Sequence, residues 1–70
     1  MPKFYSSKQI TKVLESKGFL FISQKGSHAK YRKTGKPTLT VIVPMDRKEI
    51  PHGTFHSILR QSQLNLRDFE

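Results

Sequence analysis

Two turn signals, Lys25-Gly26 and Thr34-Gly35-Lys36-Pro37, cut the middle of this chain into three strand-length runs, and that spacing leaves few folds open. The first run, Phe19-Leu20-Phe21-Ile22-Ser23-Gln24, is aromatic and β-branched. The second, residues 27–33, alternates: Ala29 and Tyr31 point one way, while His28, Lys30 and Arg32 point the other. The third, Thr38-Leu39-Thr40-Val41-Ile42-Val43, stops at Pro44, which cannot donate to a ladder. Connections this short return a chain antiparallel, so the runs predict a three-stranded meander.

Helical patterns flank the meander. Ser6 with Gln9 forms a capping-box pattern, and Tyr5 and Ile10 stand where a hydrophobic staple would be. Ile10, Val13 and Leu14 make one apolar stripe, and Gly18 suits the left-handed residue that ends a helix, with Phe19 folding back on Leu14. The first helix is therefore expected over about 6–17. A loop holding Pro51 and Gly53 separates the third strand from a second helix, expected to start near Gly53 or Thr54 and to carry Phe55, Ile58 and Leu59 on one face. Asn65 can cap a last short turn that returns Leu66 and Phe69 to the core. The expected fold class is α+β: an α-β-β-β-α order, with a three-stranded antiparallel sheet and helices on one face. Residues 1–70 read as a single domain.

Seventy residues bury only about 60% of the unfolded surface, so an active site should be a shallow surface rather than a deep cavity. The chain has no cysteine, which removes disulfides and thiolate zinc sites and fits a cytoplasmic protein. No apolar run is long enough to span a membrane, and Met1-Pro2-Lys3-Phe4-Tyr5 leads into polar sequence without a signal-peptide stretch. The +8 charge is unevenly placed. Residues 1–36 hold nine basic residues (Lys3, Lys8, Lys12, Lys17, Lys25, Lys30, Arg32, Lys33 and Lys36) against Glu15, which accounts for all of it. Residues 37–70 balance Arg47, Lys48, Arg60 and Arg67 against Asp46, Glu49, Asp68 and Glu70. Such a field suits a polyanion, nucleic acid before an acidic protein, although a solvated lysine surface would show the same composition.

The alternation in 27–33 has a chemical consequence. If Ala29 and Tyr31 face the helices, His28, Lys30 and Arg32 share the face the helices leave open. RNA cleavage needs a group that takes a proton from a 2′-hydroxyl, and histidine, with an ordinary pKa of about 6.5, suits that task at neutral pH. Lys30 and Arg32 supply positive charge where a phosphorane builds up. The Lys25-Gly26-Ser27 turn offers backbone amides to a phosphate, and Gly26 leaves room for its approach. Taken alone, a strand histidine is more often a surface residue, and two neighbouring cations more often a phosphate-binding stripe. His52 and His56, four apart with Glu49 nearby, have the spacing of metal ligands, but Pro51 and Gly53 interrupt the helix that would align them. No metal and no cofactor are expected. His56 is read as an exposed helix residue and His52 as a loop residue near phosphate. No acid stands in sequence to orient a histidine beside Ser27, so a serine hydrolase is not indicated. Phe19, Phe21, Phe55 and Tyr31 fit a core better than a base-stacking platform.

The stretch Gln24-Lys25-Gly26-Ser27-His28-Ala29-Lys30-Tyr31-Arg32-Lys33 resembles the central motif of the HicA family of toxins, small mRNA interferases of type II toxin–antitoxin systems. The likeness extends to Lys17-Gly18-Phe19, to Val43-Pro44, to Gly53-Thr54 with Ser57-Ile58-Leu59-Arg60-Gln61, and to Leu64 through Phe69. It implies a double-stranded-RNA-binding-domain-like fold and metal-independent cleavage of mRNA. It also implies His28 as the catalytic residue, and a HicB-like antitoxin that covers this histidine. Two departures stand out. Many members carry a histidine soon after the strand-ending proline, where this chain has Met45-Asp46-Arg47, and many have Gly where Gln63 stands. The expected function is thus a toxin endoribonuclease, acting as a monomer, with Lys25, Gly26, Ser27, Lys30 and Arg32 binding RNA phosphate. The competing expectation is a non-catalytic double-stranded-RNA-binding module that uses the same basic stripe.

Overall fold

A computed structural model describes residues 4–70; Met1, Pro2 and Lys3, the start of the N-terminal stretch and one of the basic residues counted above, lie outside them. The order is α1 (Ser7–Ser16), β1 (Leu20–Lys25), β2 (His28–Lys33), β3 (Leu39–Pro44), α2 (His52–Ser62) and a closing 3₁₀ turn (Leu66–Phe69). The sheet is an antiparallel meander in the order β1-β2-β3, as the turn spacing predicts.

Local chemistry sets the ends of α1. The Gln9 N–H donates to Ser6 Oγ at 3.1 Å and the Ser6 N–H donates to Gln9 Oε1 at 2.8 Å, the two halves of a capping box. At the other end Gly18 takes φ +96°, with its N–H on the Glu15 carbonyl and the Phe19 N–H on the Leu14 carbonyl, a Schellman closure. Both ends fall within a residue of the expected bounds.

The core is one cluster on one side of the sheet. Ala29 and Tyr31 of β2 and Val41 and Val43 of β3 face Ile10 and Leu14 of α1 and Phe55 and Ile58 of α2, with Tyr5, Phe19, Ile50 and Phe69 closing the margins. Burial holds the Tyr31 phenol above its ordinary 10.0, with Glu15 adding to the shift and a hydrogen bond with Thr11 opposing it. Both helices pack chiefly on β3. The Ile42 N–H on the outer edge of β3 donates to Gln61 Oε1 of α2 at 3.1 Å, so one amide of that edge is capped by a side chain. Neither helix covers β1 comparably, and all six β1 residues are exposed.

Three expectations change here. Phe21 is 52% exposed rather than buried: it lies opposite Tyr31, touching its ring edge-on with centroids 5.8 Å apart, but beyond the reach of the helices. Leu66 is 50% exposed, so only Phe69 of the last turn returns to the core. The second helix starts at His52, with Pro51 as its N-cap and Gly53 inside the first turn. Proline tolerates this place because the first amides of a helix lack internal partners anyway.

The loop after β3 is tied down by Ser7, a buried residue that sequence reasoning passed over. Its hydroxyl donates to the Pro44 carbonyl at 2.6 Å and accepts from the Arg47 N–H at 3.0 Å, while its own N–H donates to the Arg47 carbonyl. The Ile50 N–H adds a bond to the Tyr5 carbonyl.

Candidate nucleic-acid interface

The hairpin between β1 and β2 is closed by two residues, Gly26 and Ser27, with Lys25 opposite His28. Gly26 has φ +59°, and Ser27 is not in the positive-φ region, a pattern that fits a type II′ turn. A side chain at Gly26 would meet no atom within 4 Å, so glycine is required there by backbone conformation while the approach to its amide stays open. The Met45 N–H donates to the Ser27 carbonyl at 2.6 Å, which anchors the turn to the segment after β3.

Register then decides what surrounds His28. Lys25 and Pro44 flank it on the neighbouring strands, Ser23 and Ile42 flank Lys30, and Leu20 and Thr40 flank Arg32. Cross-strand neighbours share a face, so these residues lie on the side opposite the helices. His28 is exposed and Lys30 and Arg32 are half-buried. Ser23, Lys25, His28, Lys30 and Ile42 line a shallow depression of about 340 Å³. His28 Nδ1 lies 3.5 Å from Ser27 Oγ, a long contact in which the ring nitrogen donates or accepts according to its tautomer, and Nε2 is left for another partner.

The structure thus gathers Lys25, Ser27, His28 and Lys30 around one turn. Arg32 shares the face but sits four residues along the strand, roughly 13 Å away at strand rise, at the far end of the same stripe. The three strands contain no Asp or Glu, while Lys25, Lys30 and Arg32 stand on the open face, so its field is positive throughout. Lys33 points the other way, with its ammonium 5.9 Å from the centre of the Phe19 ring. Sequence reasoning missed Ser23 and Ile42; counting register outward from the tight turn would have found Ser23, at least as far as the irregularity between Phe21 and Ser23.

No second histidine lines this depression. His52 stacks on Phe4 with ring centroids 4.4 Å apart and 10° between planes, so it is the first residue of α2 in an aromatic contact rather than a loop residue. His56 is an exposed residue of the same helix, its ring 6.5 Å from that of Phe55. The helix does align His52 and His56 four apart, contrary to the interruption expected from Pro51 and Gly53. Still, among the described residues no three His, Asp or Glu side chains gather as metal donors would.

The family of toxins described as the HicA toxin of bacterial toxin–antitoxin pairs matches residues 7–64. The chain belongs to the HicA toxin family. A HicA toxin acts within a toxin–antitoxin pair, so an antitoxin partner follows from membership. The match runs from the first residue of α1 past the end of α2, and so takes in the whole sheet and the depression around His28. No curated protein matches this HicA toxin. Among its described residues no helix is long and apolar enough to cross a membrane.

Proposed function

We propose that this toxin is a metal-independent endoribonuclease, an mRNA interferase acting in the cytoplasm as a monomeric single domain, in which His28 is the catalytic base. The supporting observation is the exposed imidazole of His28, which lines a shallow, acid-free depression together with Lys25 and Lys30. A base role requires Nδ1–H to donate toward Ser27 Oγ, which leaves the Nε2 lone pair facing solvent and substrate. Nε2 takes the proton of a ribose 2′-hydroxyl as its oxygen attacks the adjacent phosphorus. The O2′–P bond forms, the P–O5′ bond breaks, and the leaving 5′-oxygen is protonated from the water that reaches this open face. Lys25 and Lys30 balance the charge that builds on the phosphorane, and the backbone amides of the Gly26-Ser27 turn hold a phosphate oxygen. Arg32, farther along the stripe, binds another phosphate of the same strand and helps fix register. The antitoxin, HicB-like by resemblance, silences the toxin by covering this face.

Purified protein with labelled RNA in excess chelator separates this reading from a non-catalytic RNA-binding module. Cleavage of ribose substrate, with none of its 2′-deoxy counterpart, is the expected result. Salt-sensitive binding of both without cleavage would establish the binding module instead.

A further inference from the structure

Of the six large apolar side chains that are exposed, three are consecutive on β1: Leu20 at 69%, Phe21 at 52% and Ile22 at 44%. A fourth, Ile42 at 37%, lies on the open face beside Lys30. Scattered apolar residues on a surface need no explanation, but a run on the uncovered edge strand of a sheet does. On the outer edge of β3 the Ile42 amide is capped by Gln61 and α2 packs against the strand, whereas neither helix packs comparably on β1. Leu20 pairs with Arg32 and Phe21 with Tyr31, so alternation sends these two side chains to opposite faces, and the irregularity between Phe21 and Ser23 leaves Ile22 without a cross-strand partner.

We infer that the Leu20–Ile22 edge of β1 is the apolar anchor of the antitoxin's docking surface, and that the antitoxin continues from it across the basic face with acidic groups over Lys25 and Lys30. Charge complementarity selects this occupant. A second copy would bring another +8 chain against the first, with no acid on any strand to offset it. RNA is met by the charges of the basic stripe, Arg32 included, whereas residues 20–24 carry no charge and, of the three exposed apolar side chains there, only Phe21 has a ring, already in edge contact with Tyr31. An acidic protein surface with an apolar centre satisfies both halves. The two are continuous: Leu20 lies across from Arg32 and Lys25 across from His28, at opposite ends of one strand pair. A partner covering about 800 Å², the usual share of one protein in a stable complex, spans both ends. This inference needs only the antitoxin partner and not the cleavage chemistry, so the two fail separately.

The test compares the wild-type toxin with Leu20→Ser, Ile22→Ser and their double variant, using as probe the purified product of the reading frame adjacent to the toxin. Both positions are exposed, and neither belongs to the catalytic or phosphate-binding set. Thermal melts and RNA cleavage therefore serve as internal controls for folding and activity. Expected are a loss of roughly tenfold or more in antitoxin affinity for each single variant, a larger loss for the double, unchanged cleavage, and a free toxin that sediments as a monomer. Unchanged antitoxin affinity in the double variant would overturn the assignment. So would a free wild-type dimer that the double variant dissolves, or RNA binding that falls with antitoxin binding. If wild-type protein fails to cleave RNA while the double variant still loses the antitoxin, the nuclease reading fails and the docking surface stands.

Discussion

At the scale of single residues, two side chains have ionisation tied to their place in the fold. Asp68 accepts the Asn65 N–H at 2.8 Å and pairs with the Lys17 ammonium at 3.3 Å. The backbone donor chiefly holds its carboxyl below the ordinary 3.8 against an opposing cost of desolvation, with Lys17 and Arg67 adding to the depression. A carboxyl depressed in the folded state lends stability that is complete above its unfolded value and is lost as pH falls through the folded one. The denaturation midpoint should therefore fall on acidification below about pH 4, and Asp68→Asn should flatten that fall. An unchanged acid limb in the variant would assign the loss to other carboxylates. Tyr31, raised by burial, has the opposite sign: its contribution is present below 10.0 and fades only in strong alkali.

At the scale of elements, α2 ends on Gln63, which takes φ +58° and ψ +25° at the helix C-cap. A residue with a β-carbon in that region costs about 1 kcal/mol relative to glycine. Gln63→Gly should thus raise stability by about 1 kcal/mol, roughly 4–8 °C in Tm for a domain this size, without changing the fold. The same element scale shows what sequence alone makes legible. The bounds of α1 follow from Ser6, Gln9 and Gly18, residues that satisfy their neighbours' backbone groups, so no distant information is needed. The inward set of β2 follows from alternation for the same reason, but that of β3 does not, because Val41-Ile42-Val43 is apolar throughout. The exposure of β1 does not, because Leu20-Phe21-Ile22 reads as core to any local rule, and only the placement of both helices over β3 leaves it uncovered. Nor do the bonds of Ser7 and Gln61, whose partners lie 37 and 19 residues away. The candidate site falls between these cases. His28, Lys30 and Arg32 share a face by alternation, whereas Ser23 and Ile42 join them only through cross-strand register.

At the scale of the whole molecule, charge and shape divide the sheet into a covered and an open side, and the open side carries the basic stripe that the proposed function assigns to RNA. If Lys25, Lys30 and Arg32 each neutralise one phosphate, the affinity for single-stranded RNA should fall with salt at a log–log slope of about −2, and Lys30→Ala should reduce that slope by about 0.7. A slope near zero would remove the phosphate-binding role of this face. The proposed function rests finally on one imidazole. His28 is exposed, so His28→Ala should leave stability within about 0.5 kcal/mol of wild type, and RNA affinity should stay within a few fold. The decisive measurement is the single-turnover rate of RNA cleavage by this folded variant in the presence of chelator. A loss of about 10²–10⁴-fold is the expected result for removal of a catalytic base; cleavage at the wild-type rate would contradict the assignment of His28.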